Sequence, residues 1–284
     1  MNVILITTIT LGGLGLMLAV IIYFVSQKFK VIEDPRIDQV EGLLPAANCG
    51  GCGQPGCRAF AEALVKADDI SNLICPVSGK DEMAKIAEIL GKQAAVSEPK
   101  VAVVRCNGSC ENRPKVNQYQ GSATCAIESA LYGGETNCTF GCSGLGDCVT
   151  ACKFDAVFID KTTGLPVVIE EKCVACGACI KVCPKKLIEL RKVGPKSRRI
   201  YVSCMNKDKG AIAGKACVVA CIGCAKCQKE CKFDAIIVEN NLAYIDDNKC
   251  RICRKCVEVC PKNSIIELNF PPRKNKVEEI VSSE

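Results

Sequence analysis

The sequence predicts an α+β chain made of one N-terminal transmembrane helix, a small helical four-cysteine module and two repeated strand-containing units. Three observations carry this: a charge-free apolar stretch at 3–25, 25 cysteines in 284 residues, and an internal repeat of cysteine runs. Hydrophobic residues reach 49% only because cysteine is counted among them, while aromatics are 5% and Trp is absent. A large conventional core is therefore not expected, and small modules of this composition rely on staples or metals to stay folded.

Residues 3–25, VILITTITLGGLGLMLAVIIYFV, hold no charge, and about 20 apolar residues cross a bilayer core. Lys28 and Lys30 follow the stretch and no basic residue precedes it. The positive-inside rule then puts the N-terminus outside and everything after residue 27 in the cytoplasm, with the inner (cytoplasmic) membrane as the expected location. A cleaved signal would need a basic leader and a small-x-small cleavage site, and neither is present. Gly12, Gly13 and Gly15 would let another membrane helix approach closely.

Histidine is absent, which excludes Ser-His-Asp and Cys-His catalysis, His-ligated zinc or haem, and Rieske centres. No catalytic residue is expected, and cysteine must carry the chemistry. Disulfides suit an oxidising compartment and an even count in a short secreted chain. Zinc favours paired Cys-x2-Cys knuckles. The spacing decides for iron–sulfur clusters. Cys221-x2-Cys224-x2-Cys227-x3-Cys231 is followed by Cys250-x2-Cys253-x2-Cys256-x3-Cys260-Pro261, the bacterial two-cluster run twice over, in which the fourth cysteine ligates the other cluster. That rule groups Cys221, Cys224, Cys227 and Cys260, and separately Cys231, Cys250, Cys253 and Cys256.

An earlier unit repeats the pattern. Cys173-x2-Cys176-x2-Cys179-x3-Cys183-Pro184 is regular, whereas its first half reads as stretched, Cys138-x3-Cys142-x5-Cys148-x3-Cys152. The crossed rule groups Cys138, Cys142, Cys148 and Cys183, and Cys152, Cys173, Cys176 and Cys179. CKFDAVFID at 152 matches CKFDAIIVE at 231, and CPKKLIEL at 183 matches CPKNSIIEL at 260. A short strand after each run is the pseudo-twofold ferredoxin arrangement.

Nearer the membrane stretch, NCGGCGQPGC brings Cys49, Cys52 and Cys57 together, with Cys75 before Pro76 as a fourth thiolate. Phe60, Ala61, Leu64 and Val65, then Met83, Ile86 and Leu90, recur at helical spacing. The module is expected to be a cluster loop on two short helices, reached through a short polar segment at 31–45. Gly51–Gly56 formally spells G-x-G-x-x-G, but it follows no strand and alternates with ligand cysteines. GAIAGK at 210–215 falls one residue short of a P-loop. Neither counts as a nucleotide motif.

Five cysteines remain: Cys106, Cys110, Cys125, Cys204 and Cys217. Four could hold one further cluster, making six rather than five, or all five could be buried free thiols. No spacing identifies a ligand set. The basic run Lys185, Lys186, Arg191, Lys192, Lys196, Arg198 and Arg199 reads either as a surface steering an acidic partner or as a solvated linker offsetting cluster charge.

An apolar anchor, an NCGGCGQPGC module and ferredoxin units in this order closely resemble the B subunits of Rnf complexes, the ion-translocating ferredoxin:NAD oxidoreductases. The resemblance covers essentially the full length. The second ferredoxin unit is additional to the shortest forms, and Lys153 and Lys232 stand where ferredoxins often have Pro. It implies a chain taking electrons from soluble ferredoxin and passing them through 4Fe–4S clusters to membrane and flavin- or NAD-binding partners. A stand-alone membrane polyferredoxin fits the spacing equally.

The expected layout is a transmembrane anchor over 1–27, a four-Cys 4Fe–4S module over 28–95 and a cysteine-containing connector over 96–135. Ferredoxin-like units follow over 136–191 and 217–269, each with two 4Fe–4S clusters, joined by a basic connector at 192–216. A flexible tail closes the chain at 270–284.

Overall fold

The computed structural model describes residues 2–28, 34–93, 98–131 and 133–272. The tail expected from residue 270 lies, from 273 onward, outside the described residues. Helix α1 (Asn2–Lys28) is apolar on every face, and its Leu5–Lys28 portion has a mean hydropathy of 2.3 and buries nothing against the rest of the chain. By length and composition it can cross a membrane. Its span is about 40 Å at 1.5 Å per residue.

The polar segment after it contains a helix, α2 (Arg36–Leu43), in a stretch with no periodic signal. Its buried Ile37 and Val40 pack with α3 (Cys57–Lys66) and α4 (Lys80–Leu90). The first module thus rests on three helices rather than two, around a fully buried Phe60, Leu64, Ile70 and Ile86. Helix α4 stops at Gly91, whose left-handed backbone (φ 65°) turns the chain away.

Two ferredoxin-like units follow, built alike. In the first, β1 (Lys100–Val104) pairs antiparallel with the last strand β4 (Ile188–Lys192), while β2 (Val157–Ile159) and β3 (Pro166–Val168) form a hairpin between them in sequence. In the second, β5 (Arg199–Val202) pairs with β8 (Ile265–Leu268) around the hairpin of β6 (Ile236–Glu239) and β7 (Leu242–Ile245). The segments expected as connectors therefore each supply the first strand of a unit. Short helices α5 (Cys125–Leu131), α6 (Asp147–Thr150) and α7 (Ala178–Val182) belong to the first unit, and α8 (Gly210–Ala216), α9 (Lys226–Glu230) and α10 (Lys255–Glu258) to the second. The GAIAGK stretch is the body of α8.

The basic run is neither a free steering face nor a solvated linker, because most of its charges are spent inside the molecule. Arg191 is 2% exposed and joins the units, its Nη1 donating to the Ile245 carbonyl at 2.5 Å and its Nε to Glu189 at 2.6 Å. Arg105 shares Glu189 and donates through Nε to the Val202 carbonyl. The two guanidiniums lie 5.1 and 4.9 Å from the Tyr244 ring centroid, within cation–π range. Buried Arg199 pairs with Glu170, Lys192 pairs with Glu98, and Arg198 sits over Phe270. Lys185 donates to the Gly133 and Gly141 carbonyls at 2.9 Å each, and burial holds its ammonium pKa down.

The first module docks on the first unit at its cysteine loop. Lys153 Nζ donates to the Asn48 carbonyl at 3.2 Å and Lys181 Nζ to the Gly50 carbonyl at 3.3 Å. Gly51 has no room for a side chain: a Cβ there would stand 2.8 Å from Pro76 Cγ and 2.9 Å from the Cys176 carbonyl.

Two outcomes are expected. Arg191→Ala strips a buried pair and should cost about 3–5 kcal/mol of stability in thermal denaturation, whereas exposed Lys196→Gln should leave the transition within error; equal effects would refute the clamp. Gly51→Val should undock the first module, read as faster hydrogen exchange at 48–53 with the α3–α4 core protected as before.

Candidate metal centres

Cysteine runs hold their shape here through backbone that bends the wrong way for most residues. Cys176 is flanked by Ala175 (φ 55°) and Gly177 (φ 75°), Cys224 by Gly223 (φ 65°) and Ala225 (φ 58°), and Cys253 by Ile252 (φ 49°) and Arg254 (φ 70°). Left-handed conformations cost a non-glycine residue of order 1 kcal/mol or more. They curl each loop so that successive thiols face inward. Three residues after the fourth cysteine of each run, Asp155, Lys186, Asp234 and Asn263 turn left-handed again and lead into the next strand.

Four sets of four cysteines each line a cavity of their own, and all the others but Cys110 gather in the first module and in the first unit. Cys221, Cys224, Cys227 and Cys260 line one cavity, and Cys231, Cys250, Cys253 and Cys256 another. In the first unit, burial and the neighbouring Cys173, Cys176, Cys148 and Cys152 push the Cys179 thiol up to about 12, placing it among the expected set of Cys152, Cys173 and Cys176. In the membrane-proximal module Cys52 lies within electrostatic reach of Cys75 and Cys49. Cys57 packs on the same core, its N–H donating to Asn48 Oδ1 at 2.8 Å.

The remaining two groups correct the expectation. Cys142, Cys148 and Cys183 share a cavity with Cys125, not with Cys138. Cys138 lines a different cavity with Cys106, Cys204 and Cys217. The reason is visible in the backbone: Gly144 (φ 75°) and Gly146 (φ 89°) flank Leu145 as Gly223 and Ala225 flank Cys224. The first run is therefore not stretched. It is the regular run with Leu145 in the middle position, and Cys138 stands to Cys142 as Cys217 stands to Cys221. Cys125 comes in from the start of α5, where its N–H and that of Ala126 donate to the Asp147 carboxylate at 2.9 and 3.1 Å. Aligning the units on their shared CKFDA would have exposed the equivalence of Cys138 and Cys217 in sequence. Nothing local could have delivered Cys125.

The group between the units is built from equivalent pairs. Cys106 follows β1 as Cys204 follows β5, and Cys138 and Cys217 precede their runs at the same distance. Cys110 joins none of the groups; it is exposed, near the β2–β3 turn at Gly164.

Neighbouring groups lie within electrostatic reach of one another. Electrostatic coupling links Cys176 with Cys49, Cys179 with Cys148, Cys142 with Cys106, Cys204 with Cys221, and Cys256 with Cys227. The groups thus form one row from the first module to the far end of the second unit.

Burial, reinforced by neighbouring thiols, pushes Cys142 and Cys256 up to about 12 and Cys148, Cys204 and Cys227 to about 11. Such thiols become ligands only when metal charge displaces the proton. Backbone N–H groups already point at several sulfurs, from Ala156 to Cys152 at 3.4 Å, Leu187 to Cys183 at 3.3 Å and Ser264 to Cys260 at 3.3 Å. Among the described residues no three ligating side chains converge tightly enough for a single ion. All-thiol groups, spread around a cavity and served by N–H donors to sulfur, fit a cluster rather than tetrahedral zinc.

Comparison with known proteins agrees. The FeS family, an Fe-S cluster domain, matches residues 44–72, and two 4Fe-4S dicluster domain families match residues 172–235 and 220–265. The chain is 44% identical to the B subunit of the Na(+)-translocating ferredoxin:NAD(+) oxidoreductase complex of Acetobacterium woodii, over 93% of this chain and 78% of that protein. It is 40% identical to the B subunit of the ion-translocating oxidoreductase complex of Methanosarcina acetivorans, over 90% and 95% of the two chains. It is 39% identical to the B subunit of the proton-translocating ferredoxin:NAD(+) oxidoreductase complex of Clostridium ljungdahlii, over 93% of each. Fold, cysteine chemistry and these relatives together place the chain in the family of Rnf complex B subunits, as an iron–sulfur electron-transport protein with one helix fit to span a membrane.

Proposed function

We propose that the chain takes electrons from reduced soluble ferredoxin and relays them along its row of cysteine groups to membrane partners in an ion-translocating ferredoxin:NAD oxidoreductase. The chain of thiol-to-thiol coupling carries this reading: a cysteine of each proposed group lies in electrostatic reach of one in the next, from the first module to the far unit. A 4Fe–4S cluster held at each group supplies a one-electron carrier. The proposed ligand sets, from the membrane outward, are Cys49, Cys52, Cys57 and Cys75; Cys152, Cys173, Cys176 and Cys179; and Cys125, Cys142, Cys148 and Cys183. Cys106, Cys138, Cys204 and Cys217 come next, then Cys221, Cys224, Cys227 and Cys260, and last Cys231, Cys250, Cys253 and Cys256.

The first group follows the anchor in sequence, so the row starts on the membrane side and its far end is offered to a soluble donor. Lys28 and Lys30 put that domain on the cytoplasmic side. The described part of the apolar helix carries no charge before Lys28, so it offers no ion path of its own. Ion movement and the two-electron, one-proton reduction of NAD⁺ would take place on partners, as the names of the relatives indicate for their complexes.

Anaerobically purified protein should contain about 24 irons per chain, four for each of six clusters, with matching acid-labile sulfide. Cys125→Ser and Cys142→Ser should perturb one and the same EPR signal, while Cys138→Ser perturbs another, shared with Cys106→Ser. If Cys138→Ser and Cys142→Ser altered the same signal, the assignment of Cys125 would fail. Truncating the chain after residue 193 should abolish oxidation of reduced ferredoxin while leaving the first three groups loaded; undiminished oxidation would place the ferredoxin contact elsewhere.

A further inference from the structure

The group of Cys106, Cys138, Cys204 and Cys217 differs from the other five in what surrounds its sulfurs. Asn206 is 1% exposed and serves two of them: its backbone N–H donates to Cys204 Sγ at 3.4 Å and its side-chain Nδ2 to Cys138 Sγ at 3.5 Å. Among the described residues this is the one group whose sulfur accepts a hydrogen bond from a side chain. The Asn206 carboxamide is held in place from its other end, where Oδ1 accepts the Asp208 N–H at 2.7 Å.

A buried cation lies beside the same group. Arg113 is 8% exposed and lines the cavity with Gly108 and Gly141. It donates to the Cys142 carbonyl at 2.5 Å, to Thr136 Oγ1 at 2.8 Å and to the Gly108 carbonyl at 3.4 Å. It makes no ion pair among the described residues. Gly108 lies between this cation and the group: a Cβ there would stand 3.1 Å from Arg113 Nε and 3.3 Å from Cys217 Sγ. Arg191, near Cys250, pairs with Glu189 at 2.6 Å, and Lys185, near Cys138 and Cys142, has both the buried Glu128 and Arg113 within electrostatic reach.

Reduction adds one negative charge to a cluster, so an N–H donor to sulfur and an uncompensated buried cation both favour the reduced state. We propose that this central site, the one cysteine group drawn from both ferredoxin units, is tuned by Asn206 and Arg113 to the highest potential in the row. An electron arriving from either unit collects there first, and onward flow runs uphill from it. Asn206 and Arg113 are positioning residues that act through the sulfurs and their loops. The inference rests on the presence of a cluster at this site.

The test is an anaerobic EPR redox titration of the full-length protein. In the unaltered chain the first signal to appear on reduction should be the one that Cys106→Ser and Cys204→Ser remove, each with a loss of about four irons. Asn206→Asp keeps the acceptor for the Asp208 N–H but removes the donor to sulfur. Together with Arg113→Gln it should shift that signal to lower potential at full iron content, and Arg113→Lys should restore part of the shift. Unshifted signals in both variants at full iron content would overturn the tuning. Loss of neither iron nor signal in the two serine variants would overturn the cluster itself, a separate failure.

Discussion

A thiol buried among other thiols does not ionise without positive charge beside it, and the inner cysteines of this protein, Cys142, Cys179, Cys227 and Cys256 among them, are placed under that constraint. The rest of the structure follows from it. Cys204, Cys217, Cys227 and Cys256 belong to the core of the second unit, with Cys221, Cys231, Cys250 and Cys260 packed against it. The cysteines thus do part of the work that aromatic and aliphatic side chains do in an ordinary domain. Each sheet has two strands, too few to stand alone in water. Metal binding and folding are for that reason one event in small domains of this kind.

The same constraint accounts for the strained backbone. Alanine, isoleucine and arginine occupy left-handed positions at Ala175, Ala225, Ile252 and Arg254, which an unconstrained loop would give to glycine. A loop that aims successive thiols at one centre cannot relax these residues without losing the group. Where the middle cysteine is replaced by Leu145, both flanking residues are glycine and the curl persists without a ligand at its tip. The missing thiol is supplied from α5, anchored through Asp147.

Duplication explains how two units meet. Each starts with a strand followed two residues later by a cysteine, Cys106 or Cys204, and continues to a cysteine ahead of the first run, Cys138 or Cys217. Taken alone, either unit holds two thiols with no partners. Face to face they make four. The interface that brings them together is charged rather than greasy, with Arg105 and Arg191 sharing Glu189 and stacking on Tyr244. A buried ion pair is costly to desolvate, but it fixes geometry, and here the geometry sets the spacing between cysteine groups.

Sequence alone determined the apolar helix and the regular cysteine runs, because those depend on spacing within one stretch of chain. It also marked the strands that follow each run, through the repeated CKFDA and CPK segments. The tertiary structure decided the rest. Helix α2 escaped notice because only Ile37 and Val40 of its eight residues are buried and apolar, too short a pattern to show a period. The exchange of Cys138 for Cys125 depends on α5 folding back against Asp147, a contact across 22 residues that no local spacing encodes. The fate of the basic run was equally hidden. Arg191 and Lys196 look alike in sequence, and only the docking of β4 against the second unit buries one and leaves the other in water.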